Sequence, residues 1–209
     1  MKEENKNGQL PEKEQLLSSL RNAEEMYVFM SLCTKMPYVL CDEETFDDEV
    51  LLYYTEEDAQ REGKKLIEQR IPIQIAKIEK KQLLGFFSSL YPMGVNGLLI
   101  NKNMESEARL QLGELVIRPN TEDLPDGKVW VENPQLHLTA LYFMQEMRRQ
   151  EKPELTEELK GLQEEILVNY GRGRFIVAVH KENGMPMLKQ KNGDAYQPIF
   201  TDPGVSKIQ

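Results

Sequence analysis

The sequence predicts an α/β (α+β) protein: small mixed or antiparallel sheets with flanking helices, built from a duplicated module. Three observations predict it. Two Asn-Gly dipeptides, Asn183-Gly184 and Asn192-Gly193, sit between short β-prone runs in residues 174–202. Asn-Gly supplies the positive φ angles that a tight hairpin turn needs. Two helix starts are spelled out, the capping box Thr55-Glu-Glu-Asp58 and the cap-plus-proline pair Asn133-Pro134. One order of elements, a helix, three strands and a second helix start, occurs twice.

In chain order, residues 1–9 are polar and read as a disordered tail. From Pro11 a helix follows, with Leu16, Leu17, Leu20 and Ala23 on one stripe. Met26-Tyr-Val-Phe-Met30, Met36-Pro-Tyr-Val-Leu-Cys41 and Val50-Leu-Leu-Tyr-Tyr54 are strand candidates, the last two separated by an acidic turn. The helix opened at Thr55 runs to about Arg70, and Ile71, Ile73 and Ile75 then alternate as in a half-buried strand. Leu83, Leu84, Phe87 and Leu90 mark a short helix; residues 95–100 return as a strand, and 114–118 form a further candidate. Pro125-Asp-Gly127 places a turn in 120–128, and Val129-Trp-Val131 reads as extended. The Asn133 helix reaches about Arg149 and presents Leu138, Leu141 and Met144, with Tyr142 beside them, to a core. A last helix carries Leu155, Leu159, Leu162 and Ile166, and Gly171-Arg-Gly173 ends it.

Laid side by side, Tyr27–Ser31 matches Phe175–Val179, Met36-Pro37 matches Met185-Pro186, and Tyr54-Thr55-Glu56 matches Phe200-Thr201-Asp202. The expected organisation is a tail at 1–9, a first module at 10–132, a connecting helix at 133–152 and a shortened second module at 153–209. Either that second copy is short, or the chain stops before its module does.

Composition excludes some classes. Lys and Arg number 26 against 35 Asp and Glu, a net charge of −9 that disfavours nonspecific nucleic-acid binding. No run approaches the roughly 18 apolar residues of a membrane span, and the polar N-terminus lacks the apolar core of a signal peptide. Two cysteines, Cys33 and Cys41, fit a reducing compartment, so a cytoplasmic location is expected.

Candidate chemistry is sparse. Cys33 and Cys41 are spaced too widely for a Cys-x-x-Cys half-site; they read as small buried apolar residues, or as partners across a hairpin under oxidation. His137 and His180 lie far apart in sequence without acidic residues at ligand spacing, so hydrogen-bonded or solvated roles compete with metal or acid–base ones. Arg172 and Arg174, with His180, are the candidates for an anion or small ligand, although the neighbouring glycines follow a helix C-terminus, whose dipole is wrong for anions. The acidic pairs Glu43-Glu44, Asp47-Asp48 and Glu56-Glu57 lack calcium-loop spacing and read as a solvated face. No catalytic residue, metal ligand or cofactor site is assigned.

Gly184-Met-Pro-Met-Leu-Lys, then Asn192-Gly-Asp-Ala-Tyr-Gln-Pro-Ile-Phe-Thr-Asp202, resembles the SseB family of bacterial proteins, named for an enhanced serine sensitivity phenotype. Met36-Pro-Tyr-Val-Leu and Val50-Leu-Leu-Tyr-Tyr-Thr55 repeat the pattern more loosely, and Gly94-Val-Asn-Gly-Leu-Leu-Ile-Asn-Lys102 is similar to that family's later Gly-rich strand. The resemblance implies a bacterial cytosolic α/β module, often in tandem, with no established catalytic residues to carry over. Two functions follow as expectations. One is a noncatalytic protein-interaction or regulatory module, with an unidentified partner or self-association through a sheet edge. The other is a small-molecule, amino-acid-related binding protein or enzyme.

Overall fold

The computed structural model describes residues 12–118, 124, 129–150 and 154–201. The expected tail, most of the 120–128 turn and the helix start beyond Thr201 lie outside them. In order come α1 (Glu12–Asn22), β1 (Glu25–Ser31), β2 (Val39–Cys41), β3 (Asp48–Tyr53), α2 (Glu56–Glu68), β4 (Ile73–Glu79), α3 (Lys80–Leu90), β5 (Gly97–Ile100), β6 (Ala108–Gln111) and α4 (Leu112–Leu115). The helices α5 (Pro134–Arg149) and α6 (Glu157–Arg172) follow, then β7 (Ile176–Val177), β8 (Lys189–Lys191), β9 (Asp194–Tyr196) and β10 (Ile199–Phe200).

The first ten elements build a mixed six-stranded sheet in the order β4-β1-β3-β5-β6, with β2 also paired to β3. The β3–β5 pair is parallel and the others are antiparallel. β3 lies inside the sheet and is buried on both faces, so it reads as an unbroken apolar run rather than an alternation. Val28, Val50 and Leu52 point to a core shared with α3, α5 and Leu20 of α1. Tyr27, Phe29, Leu51 and Tyr53 point the other way, to a smaller core with Ala59 of α2 and with Ile71 and Ile73.

Thr55 caps α2 as expected, its hydroxyl accepting from the Asp58 amide at 3.2 Å, but the box is not reciprocal: the Asp58 carboxylate accepts from the threonine hydroxyl at 2.6 Å rather than from its backbone N–H. Two expectations are corrected. Residues 114–118 are not a strand; the pairing falls on β6, and Leu112–Leu115 is a turn of helix that buries Leu112 and Leu115. α5 buries Leu136, Thr139 and Leu141, whereas Met144 is exposed.

The C-terminal residues form two small ribbons, β7 with β10 and β8 with β9. Their first hairpin repeats, bond for bond, the hairpin that follows β1. Ser31 N–H bonds to Met36 C=O, Lys35 N–H to Ser31 C=O and Tyr38 N–H to Phe29 C=O. The same three bonds join His180 to Met185, Gly184 to His180 and Met187 to Ala178, each 149 residues on. The single bridges Met30–Pro37 and Val179–Pro186 keep that offset. β10 meets β7 as β3 meets β1, with Phe200 opposite Ile176 where Tyr53 faces Tyr27. Tyr27 therefore corresponds to Ile176 rather than Phe175, and Tyr53 rather than Tyr54 to Phe200. A slip of one residue turns every side chain to the other face of a strand, so the distinction matters.

Turn chemistry differs between the halves. Asn192 and Gly193 both take positive φ, as an Asn-Gly hairpin requires, whereas of the first dipeptide only Gly184 does. Lys35 adopts the left-handed conformation at the place that Gly184 holds.

Candidate functional site

The joint between the sheet and the C-terminal ribbon is built on Asn133 and His137. Asn133 is buried at the start of α5, but its side chain makes no cap bond. It reaches instead into the ribbon: Oδ1 accepts from Arg174 N–H at 3.1 Å, and Nδ2 donates to the carbonyls of Arg174 at 2.7 Å and Thr201 at 2.9 Å. One amide thus closes the end of the β7–β10 ladder. One turn on, the His137 ring bonds the Pro92 carbonyl through Nδ1 at 2.7 Å and the Thr201 hydroxyl through Nε2. This histidine bridges the two halves.

Gly173 caps α6 with φ −68°, so a left-handed cap is not what selects glycine. A Cβ there would lie 2.7 Å from Asn133 Oδ1 and 2.8 Å from the Phe175 ring, so close approach explains it. Gly94 meets both demands, with φ +89° and a Cβ position 2.7 Å from the Pro134 carbonyl.

The ligand candidates are strung along one strand. Arg172 ends α6 and is exposed, Arg174 opens the β7 run with its backbone held by Asn133, and His180 sits exposed in the hairpin beyond β7. Arg174 and His180 are six residues apart, about 20 Å along an extended chain. They mark the two ends of an edge.

That edge is open. Backbone groups of Arg174, Ala178 and His180 face the β10 and hairpin side. Strand alternation therefore turns those of Phe175, Val177 and Val179 outward. β7 has one strand neighbour among the described residues, β10. In the first half the corresponding edge is filled: β4 pairs with β1 over seven residues, from Glu25 opposite Glu79 to Ser31 opposite Ile73. Apolar side chains are open with it. Val177, Val179, Met185, Leu188, Tyr196 and Ile199 are all exposed.

A second feature is a cleft of about 380 Å³ between β2, α5 and α6, walled by Tyr38, Ile71, Tyr142 and Leu162 with Glu146 and Arg149 at its rim. Gln145 passes beside it and closes the edge of β2. Its Oε1 accepts from Val39 N–H at 3.2 Å and its Nε2 donates to Val39 C=O at 3.0 Å, the two bonds a neighbouring strand would make.

The acidic end of the sheet is more than a solvated face. Arg109 pairs with Glu49 at 3.1 Å and Asp42 at 3.0 Å, while Asn96 and Gln111 each donate to Asp47 at 2.8 Å. Burial holds the Glu49 carboxyl above its usual range despite Arg109. Burial likewise raises Asp48, against the lowering effect of the bond donated by the Tyr142 hydroxyl. Asp42 is lowered by the amides of Thr45 and Glu44. Among the described residues, no group of three or more His, Cys, Asp or Glu is arranged to hold a metal.

The cysteines do not face each other. Cys33 lies half-buried in the hairpin turn and Cys41 at the far end of β2, both as free thiols. Cys41 is exposed, which corrects its reading as a buried apolar residue. No described helix is long and apolar enough to cross a membrane.

Sequence reasoning missed the amide clamps of Asn133 and Gln145. Asn133 reads as a helix cap, and nothing in its neighbours signals a partner 41 residues away. No protein-family model, curated protein or solved structure matches this chain.

Proposed function

We propose that this chain is a noncatalytic protein-interaction or regulatory module, a tandem member of the SseB family acting in a bacterial cytosol. Its binding element is the outer edge of β7. The observation that carries this reading is the contrast of two matched edges: β1 is covered by β4 along seven residues, while β7 presents outward amides and carbonyls flanked by exposed apolar side chains. Such an edge is a template for strand addition, in which main-chain bonds give affinity and alternate side chains give specificity. The hydrogen-bond match of the two hairpins supports it, since the edge of β1 that corresponds to this one accepts a strand.

The test is positional. A photo-crosslinking side chain at Val179 is expected to capture a protein in the host cell, while the same group at Leu84, an exposed apolar site on α3, captures none. Equal capture at both sites, or none at Val179, would count against the reading.

The cleft beside Gln145 favours a second reading, a small-molecule binder. Its volume is at the lower end of ligand sites, and its walls are mostly apolar with a few polar groups. Leu162→Trp, which fills the cleft, should abolish a ligand-induced rise in thermal stability found by screening amino acids. An unchanged response would remove the cleft from consideration.

A further inference from the structure

We infer that the strand accepted by the β7 edge is acidic, with a carboxylate aimed at Arg174. The inference rests on the interaction reading above and specifies its partner. The first half shows how a strand sits on this edge. β4 runs antiparallel to β1, and its Lys77, opposite Tyr27, reaches back along the ladder to Glu25, Nζ to Oε2 at 3.0 Å. The offset of 149 places Ile176 where Tyr27 stands and Arg174 where Glu25 stands. The charge at that corner is thus reversed. A strand carrying lysine opposite Ile176 would meet a guanidinium; one carrying Asp or Glu would meet a partner.

The surroundings point the same way. Residues 172–201 hold five Arg or Lys and two Asp or Glu, a local net charge of +3 in a chain whose total is −9. Arg172 and Arg174 stand at one end of the edge, and Lys181 follows His180 at the other. The slot between them spans about 20 Å, the length of a seven-residue strand such as β4. An extended acidic segment of another protein, apolar at alternate positions, fits that length, that charge and the exposed Val177 and Val179.

The chain supplies its own probes. Two blocked heptapeptides with the sequence of β4, one unaltered and one carrying K77E, would be titrated into the full-length protein at low ionic strength, with amide resonances followed. The K77E peptide is expected to shift Phe175, Val177 and Val179, and to bind about fivefold tighter than the unaltered one, a cross-strand charge effect that salt weakens. Arg174→Glu should reverse the preference, an outcome a merely structural role for Arg174 does not produce. Arg174→Gln, should the charge reversal prevent folding, should abolish it.

Equal binding of both peptides at this edge would overturn the acidic partner and leave the interaction reading standing. No binding, with the three outward amides protected in a dimer, would overturn it in favour of a second copy as occupant. No binding, with those amides exchanging freely in a monomer, would remove both readings.

Discussion

Val28 and Val177 hold the same place in two matched hairpins, and only the first is buried: Val28 is 0% exposed and Val177 40%. Leu52 and Ile199 repeat the contrast at 0% and 39%. Local pairing alone therefore does not make a core. In the first half, β4 and β5 extend the sheet on either side of β1 and β3, and α2 and α3 cover its faces. In the second, the same hydrogen bonds hold a ribbon that α5 touches through Asn133 and His137. Two-stranded ribbons are marginal in water, so this one depends on its joint.

The widest difference is expected from cutting the matched core positions. Leu52→Ala should cost about 2–5 kcal/mol, the range for a buried leucine that leaves a cavity. Ile199→Ala, half-exposed, should cost under about 1 kcal/mol. Urea denaturation followed by circular dichroism measures both. Similar losses would mean the ribbon is packed in solution as tightly as the sheet.

Next in size is the joint. Asn133→Ala removes the side chain that bonds the Arg174 amide and the carbonyls of Arg174 and Thr201, at a cost of about 1–3 kcal/mol. The loss should be local: faster amide exchange at Ile176 and Phe200, with β1 and β3 unchanged. Uniform acceleration through the sheet would show that the two regions unfold together.

What the sequence made legible follows from the range of the forces involved. The Thr55 helix cap, the strand at residues 50–54 and the proline at the start of α5 were readable, because each reports on neighbours a few residues away. The hairpin match was readable too, although off by one residue in the strand, since alignment by residue type cannot sense hydrogen-bond register. The clamp from Asn133 to Arg174 was not, because an asparagine before proline reads as a cap whether or not its side chain turns elsewhere. Arg172 and Arg174, with His180, read as candidates for an anion or small ligand; that Arg174 and His180 lie at the two ends of one strand edge follows from hydrogen-bond register, which residue type does not carry.

A pH comparison sharpens the contrast further. Glu49 lies in the sheet where the ribbon has Tyr196, matched by the pairings Leu40–Glu49 and Lys189–Tyr196. Burial raises the folded pKa of Glu49 above its ordinary 4.5, so the native state holds this proton more firmly than the unfolded chain. The stabilising contribution is therefore complete below the ordinary value and is lost as pH rises through the folded one. Wild type should lose stability relative to Glu49→Gln as pH rises from about 4.5 into that window. The reverse slope would mean that Arg109 outweighs burial.

The smallest expected effect comes from importing one residue of the ribbon into the core. Tyr53 and Phe200 are register equivalents, and Tyr53 carries a buried hydroxyl without a hydrogen-bond partner among the described residues. Its ring packs on Phe29 with centroids 5.2 Å apart, a contact that phenylalanine would keep. A buried hydroxyl without a partner costs free energy, and removing it leaves no second group unsatisfied. Tyr53→Phe should raise stability by up to about 1 kcal/mol, read as a shift of the urea midpoint at constant slope. A loss of more than about 1 kcal/mol would instead reveal a bound partner for the hydroxyl, and would make this core position differ from its ribbon counterpart in chemistry as well as in burial.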